Sequence, residues 1–293
     1  MAHPVLRYAL HILALLVLGP IAYFLAMSLR DSVGSTAATI FHNATPMRAV
    51  LFVAYTLLAA TAAGALGSRL FSAGTGMTAA GFVLAWAGWG LGTIDEIVRS
   101  TNGRVGFALL GGEGFFCVAL AGLITVICTR LGSLTPAGNL WSISMEPGGK
   151  PASAMDVTIA VVAAAVGAGV LAWFYASSDS HGQTLGAAFV GGGAAGVIAQ
   201  LVLTNRKCHA RPLTAVVGVG LVATIGPLIG QFTAGNNLLA TDFAGRLSPI
   251  ALPVGLTWAA GALIGVPLGL GWAGHAIDRR VAAETGLTPV VPD

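Results

Sequence analysis

Charged residues are scarce in this sequence of 293 residues. Asp, Glu, Lys and Arg make up 9% of the chain, whereas hydrophobic residues make up 56% and the mean hydropathy is +0.84. Soluble domains carry about 25% charged residues, so this chain cannot cover the surface of a water-soluble globule of its size. The scarcity of charge therefore excludes the soluble classes and predicts an all-α integral membrane protein.

Lysine and cysteine are also rare. The two lysines, Lys150 and Lys207, fall between apolar segments, which excludes a Schiff-base lysine inside the membrane. Two of the three cysteines, Cys117 and Cys128, share one apolar segment. On a helix they lie about three turns apart, which is too far for a disulfide, and no metal-ligand spacing occurs among the cysteines.

The known catalytic motifs are missing as well. The sequence contains no P-loop, no HExxH and no GxSxG, so it offers no machinery for ATP hydrolysis, metalloprotease chemistry or acyl transfer. No other catalytic set of side chains is visible, and we do not expect an enzyme.

Apolar segments are what the sequence has in abundance. Eight of them have about 20 residues, the length that crosses a hydrocarbon core of about 30 Å. They cover residues 8–29, 49–69, 77–95, 107–129, 157–176, 185–204, 212–233 and 250–275. The sequence thus predicts about eight transmembrane helices.

The longest stretch between apolar segments, residues 131–156, is rich in Gly, Pro and Ser. It predicts a cytoplasmic linker between a first four-span half, residues 1–130, and a second four-span half, residues 157–293. Each half has an even number of spans, so repeated halves would run parallel to one another.

A weak internal repeat agrees with this division. A shift of 147 positions carries Asp95 onto Asp242 and Arg99 onto Arg246. The same shift also superimposes glycines, but with 41 glycines in the chain such matches arise readily by chance. The matches are therefore explained either by two parallel repeated halves or by chance.

Basic residues report the orientation. If the N-terminus is cytoplasmic, the inside segments hold nine Lys and Arg residues and the outside segments hold five. Cytoplasmic loops carry the excess of Lys and Arg, so both termini are predicted to be cytoplasmic. The composition is typical of a bacterium, which favours the cytoplasmic (inner) membrane. The net charge of +3 is thereby explained by topology, and we expect no nucleic-acid partner.

Glu113 stands alone in the segment LLGGEGFFCVAL at 109–120. If residues 107–129 form one helix, Glu113 lies about 9 Å from its outer end, where a carboxylate is costly and is functional by default. If the helix begins after the glycines, at Gly114 or Phe115, Glu113 sits at a helix N-terminus, where the dipole favours an anion. The sequence leaves both readings open.

A second polar cluster, TIDEIVRSTNGR at 93–104, lies between the third and fourth spans. On a helix, Arg99 reaches Asp95 four residues before it and Glu96 three residues before it. One interpretation is an interfacial ion pair that caps a span. The other is an outward-facing vestibule in which Asp95, Glu96 and Glu113 bind a cation or a proton.

Two histidines are weak candidates for binding haem. His11 lies one turn inside the first span and His275 ends the last one, so both fall near the cytoplasmic side. Haem can be held by histidines on neighbouring helices, but only one such pair is available here, and no cofactor is predicted.

Glycine stripes indicate close helix packing. Gly261, Gly265 and Gly269 recur at four-residue spacing on one face of the last span. Such stripes let helix backbones approach each other, either within the bundle or against a partner subunit in the membrane.

Two functions from different classes follow. The first is a permease for a small solute or ion, with Glu113, Asp95, Glu96 and Arg99 on its pathway. The alternative is a non-catalytic structural subunit of a larger membrane complex, in which the glycine stripes contact other subunits and the acidic residues are structural. A water-accessible cavity that reaches Glu113 would favour the permease.

Overall fold

The computed structural model describes residues 4–30, 39–43, 45–101, 106–132, 152–208, 211–235 and 237–285. These residues contain eight helices long and apolar enough to cross a membrane, which confirms the predicted all-α polytopic fold. Most of the predicted linker, residues 133–151, lies outside the described residues, as does Lys150.

Eleven α-helices make up the eight spans and their connections within the described residues. The first span consists of α1 and α2, joined by a π-helical turn at Ala14–Leu18, and α5 and α10 are short helices between spans. The bounds are α1 Pro4–Leu13, α2 Gly19–Met27, α3 Pro46–Leu70, α4 Ala73–Gly90, α5 Ile94–Ser100, α6 Phe107–Gly132, α7 Ala154–Tyr175, α8 His181–Asn205, α9 Pro212–Ala234, α10 Leu238–Phe243 and α11 Gly255–Thr285.

Local sequence explains where several helices begin. Ser72 caps α4 by accepting the backbone N–H of Thr75 at 3.2 Å. Thr93 begins α5 and Ser153 begins α7, each with a capping box in which side chain and backbone satisfy one another. These caps are encoded within four residues, so they do not depend on the tertiary fold.

The last span begins later than the sequence predicted. The prediction placed its start at residue 250, but residues 249–251 form a 3-10 turn and α11 begins at Gly255. Pro249 and Pro253 lack a backbone N–H and restrict the residues before them, so the regular helix starts only after the second proline.

The helix α11 lies at the centre of the bundle. It packs against α8, α4, α6 and α9, and its spanning segment is the most buried of the eight. The glycine stripe of Gly261, Gly265 and Gly269 faces α8 of the same chain. A Cβ atom at Gly269 would stand 2.0 Å from the carbonyl oxygen of Gly193, so the two backbones touch.

The helices of the two predicted halves make matching contacts. In the first half, α4 packs on α2, α3 and α6, and α3 packs on α6; in the second half, α9 packs on α7, α8 and α11, and α8 packs on α11. Between the halves, α4 packs on α11, α6 packs on α9, and α6 and α11 pack on each other. Each of these contacts between spans in one half thus has a counterpart in the other.

Candidate functional site

One end of the bundle, named the Asp95 end, carries the predicted polar site. The short helices α5 and α10 lie there and contact each other. Arg30, after the first span, reaches Glu96 on α5 at 3.5 Å, which places the end of the first span beside α5. Glu96 also accepts the backbone N–H of Thr93 in the capping box at 3.1 Å. Glu96 therefore pairs with Arg30, while Arg99 has other partners.

Arg99 joins α5 to α10. Its Nε atom lies 2.5 Å from Oδ1 of Asp95, the pair that the four-residue spacing predicted, and 3.4 Å from Oδ2 of Asp242. The guanidinium also stands over the Phe243 ring, 4.7 Å from its centroid. The Asp242 side chain is 4% exposed and that of Arg99 is 49% exposed, so one side of the arginine remains open to the surroundings.

The partner of Asp242 differs from what its spacing suggests. Arg246 lies four residues after Asp242, as Arg99 does after Asp95, but none of the ion pairs between described residues joins Asp242 to Arg246. Asp242 instead binds the arginine of the other half. The shift of 147 positions aligns Asp95 with Asp242 but does not indicate this pairing, because it makes Arg246 the counterpart of Arg99.

Glu113 lies inside a continuous helix. Because α6 begins at Phe107, the carboxylate is about 9 Å from its first residue, as in the first of the two readings. The neighbouring glycines do not break the helix; they allow another helix to approach. A Cβ atom at Gly111 would stand 2.7 Å from the carbonyl oxygen of Thr224, and one at Gly114 would stand 2.3 Å from that of Ala223.

The Glu113 carboxylate binds a partly buried turn of irregular backbone, residues 39–43. The residue is 1% exposed, and its Oε2 atom accepts the backbone N–H of Phe41 at 3.0 Å. Its Oε1 atom has no hydrogen-bond partner among the described residues. The turn precedes α3, and both Thr39 and Ile40 are buried in it. Irregular backbone at membrane depth must be satisfied by protein groups, and Glu113 supplies one of them.

The turn at residues 39–43 is also stabilised by hydrogen bonds between its own residues. The backbone N–H of Thr39 donates to the carbonyl of His42 at 2.8 Å, and that of His42 donates to the Thr39 hydroxyl at 3.0 Å. The Phe41 ring contacts Phe116 one turn beyond Glu113, with centroids 5.5 Å apart. The turn is therefore anchored to α6 at two points.

The sequence grouped Glu113 with the acidic residues of α5, but their contacts are separate. No hydrogen bond or ion pair between described residues links Glu113 to Asp95, Glu96 or Arg99. The predicted residues thus form two groups, one on α5 and α10 and one at the turn that α6 holds.

An aromatic contact at the Asp95 end was not foreseen. Trp89, at the end of α4, stacks on His181, the first residue of α8, with centroids 5.9 Å apart and planes 26° apart. Trp86 continues the row from Trp89 to Tyr23 of the first span. Nothing in the local sequence indicates these contacts, because the residues belong to three different spans.

Glu113 does not line either of two cavities found among the described residues. A pocket of about 10 Å³ beside Cys117 is too small for a solute. A groove of about 760 Å³ lies between α7, α8 and α11, and its lining is entirely aliphatic, glycine and aromatic. Gly193 and Gly265 line it, and Trp272, 69% exposed, lies at its edge.

The haem candidates are not brought together by any described contact. The His11 ring packs edge-on against Phe82 of α4, with centroids 5.8 Å apart, and His275 is exposed on α11. No group of three or more His, Cys, Asp and Glu side chains among the described residues has a metal-binding arrangement.

Comparisons with known proteins add no assignment, since no protein-family model, no curated protein and no solved structure matches the chain.

Proposed function

We propose that this membrane protein is a permease for a small solute or ion, with Glu113 on its pathway. The observation that carries the proposal is the Glu113 carboxylate itself, which is 1% exposed inside a span and has one oxygen without a partner among the described residues. An ionisable side chain in the hydrocarbon is costly, and such residues most often serve the passage of ions, protons or solutes.

The arrangement of helices supports a mechanism of two moving halves. The matched contacts support the division into four-span halves of residues 1–130 and 157–293, related as parallel repeats. In transporters built from repeats, the binding site lies where the repeats meet. The backbone of Glu113 supports the proposal, because a Cβ atom at Gly255, the first residue of α11, would stand 3.0 Å from the Glu113 carbonyl oxygen. The carboxylate itself binds Phe41 of the first half.

The ion pairs on α5 and α10 would then form the entrance. Asp95 and Arg99 belong to the first half and Asp242 to the second, so their contact joins the halves at the Asp95 end. We propose that this end faces outward in a bacterial inner membrane, with both termini cytoplasmic. Glu96 belongs to the same entrance through its pair with Arg30.

A transport assay in liposomes tests the proposal. The purified chain is reconstituted and challenged with panels of amino acids, sugars and inorganic ions while charge movement is recorded. We expect transient currents with at least one solute, lost in Glu113→Gln and retained in the control Asp179→Asn, which changes a carboxylate in the short connection before α8. Currents of wild-type size in Glu113→Gln at every pH would exclude Glu113 from the pathway.

The groove between α7, α8 and α11 favours the second candidate, a structural subunit of a membrane complex. It is a wide apolar depression on the lipid-facing side, and it gives room to a helix of another subunit. Purification from the native membrane in a mild detergent tests this candidate. A stoichiometric second polypeptide would support it, and a chain that travels alone, stable and monodisperse, would contradict it.

A further inference from the structure

We propose that the ion bound at Glu113 is a proton, carried on its Oε1 atom. This inference rests on the proposed permease function, since it names the ion that the same carboxylate would take.

The surroundings of Glu113 do not suit a metal cation. Hard cations take six or more oxygen ligands, often from several carboxylates. Here Oε2 already accepts the N–H of Phe41, a donor that would repel a cation beside it. No hydrogen bond between described residues joins Glu113 to a second carboxylate, and the backbone of Glu113 packs closely against Gly255.

Among the described residues, a charged Glu113 would also lack a counter-ion. None of the ion pairs between described residues includes Glu113. An isolated carboxylate removed from water is strongly disfavoured, and binding a proton removes the charge at once. A hydronium ion of the surrounding water supplies the proton: one O–H bond of H₃O⁺ breaks and leaves water, and one O–H bond forms at the carboxylate.

The other ionisable groups nearby cannot replace that proton. On α6 the next such group is Cys117, a neutral thiol, and in the turn it is His42. The helix α9 and the segment of α11 up to Trp272 contain no ionisable side chain. On α3, Arg48 donates to the carbonyl of Ser28 at the end of the first span, and Tyr55 donates to the carbonyl of Leu18 in its π-helical turn.

The two carboxylate oxygens have different roles in this assignment. The carbonyl-like Oε2 accepts the N–H of Phe41 whether or not the group is protonated. Oε1, without a hydrogen-bond partner among the described residues, becomes the hydroxyl. The proton can therefore come and go while the bond to the turn persists.

Infrared spectroscopy of the purified chain in lipid nanodiscs tests the assignment without any transport measurement. We expect a protonated-carboxyl C=O band at neutral pH, shifted in D₂O and reduced by one carboxyl group in Glu113→Gln. The control Asp179→Asn should leave the band unchanged. Replacing choline chloride by sodium chloride should also leave it unchanged. A spectrum in which Glu113→Gln removes nothing, or in which sodium abolishes the band, would overturn the proton assignment.

Two further observations distinguish a failure of the proton assignment from misfolding of the variant and from a failure of the permease proposal. The wild-type protein should lose the same C=O band when it is titrated to high pH. This titration replaces the comparison with Glu113→Gln if that variant misfolds and does not elute from size-exclusion chromatography as a single species. If the C=O band is present but no solute is transported, the permease proposal is contradicted and the assignment of a proton to Glu113 stands. If transport requires Glu113 but the C=O band is missing, the assignment of a proton to Glu113 is contradicted and the permease proposal stands.

Discussion

Replacing Gly269 by alanine adds one methyl group at the tightest contact of the stripe on α11. The added Cβ would stand 2.0 Å from the carbonyl oxygen of Gly193 and 3.0 Å from the backbone nitrogen of Val197. Ordinary contacts between heavy atoms are about 3.5–4.0 Å, so α8 and α11 must separate by about 1.5 Å. Both clashing atoms are backbone, and no side chain can rotate away to relieve the overlap.

The magnitude follows from two opposing effects. Overpacking of this kind costs about 1–3 kcal/mol, whereas alanine favours a helix over glycine by about 1 kcal/mol. We therefore expect Gly269→Ala to destabilise the protein by up to about 2 kcal/mol. Gly271 is the matched control in the same helix, since a Cβ there would meet nothing within 4 Å. Gly271→Ala should stabilise by up to about 1 kcal/mol.

Thermal unfolding in detergent measures the difference. One kcal/mol shifts the midpoint of a domain of this size by about 2–4 °C, so a difference of 2 kcal/mol places the two variants about 4–8 °C apart. Equal stabilisation by both alanines would refute the packing of α11 on α8 through this glycine. Loss of a co-purifying polypeptide at unchanged stability would instead place the stripe against a partner.

Two further predictions concern the ends of the bundle. If both termini are cytoplasmic, a cysteine at Ser180 should react with an impermeant maleimide on intact cells and Cys208 should not; the reverse pattern would invert the topology. Asp242→Asn removes the ion pair that joins α10 to Arg99, and for a partly exposed pair we expect a loss of about 0.2–1 kcal/mol in thermal unfolding. Arg246→Gln is its control and should change nothing, because Asp242 pairs with Arg99; equal losses would mean that Arg246 shares the pair.

The sequence alone determined the number and nature of the spans. Crossing a bilayer needs about 20 apolar residues with every backbone group satisfied internally, and both conditions are written into each segment separately. The pair of Asp95 and Arg99 was predictable for the same reason, since four residues on one helix bring the side chains together whatever surrounds them.

The helix around Glu113 could not be predicted from the local sequence alone. Glycines beside a carboxylate are consistent with a broken helix or with a close helix contact, and local propensity favoured neither decisively. The carbonyl groups of Thr224 and Ala223 on α9 decide for the contact, because they fill the space that a side chain at Gly111 or Gly114 would occupy.

Tertiary structure alone decided the partners of the polar side chains. Phe41 and Glu113 are 72 residues apart in the chain, and Arg99 and Asp242 are 143 residues apart. No periodicity spans such distances; the packing of the helices sets which loops meet. The apolar pattern of a span fixes that it lies in the membrane, but the same pattern is compatible with many neighbours. Only close contacts such as that of Gly269 with Gly193 select one arrangement.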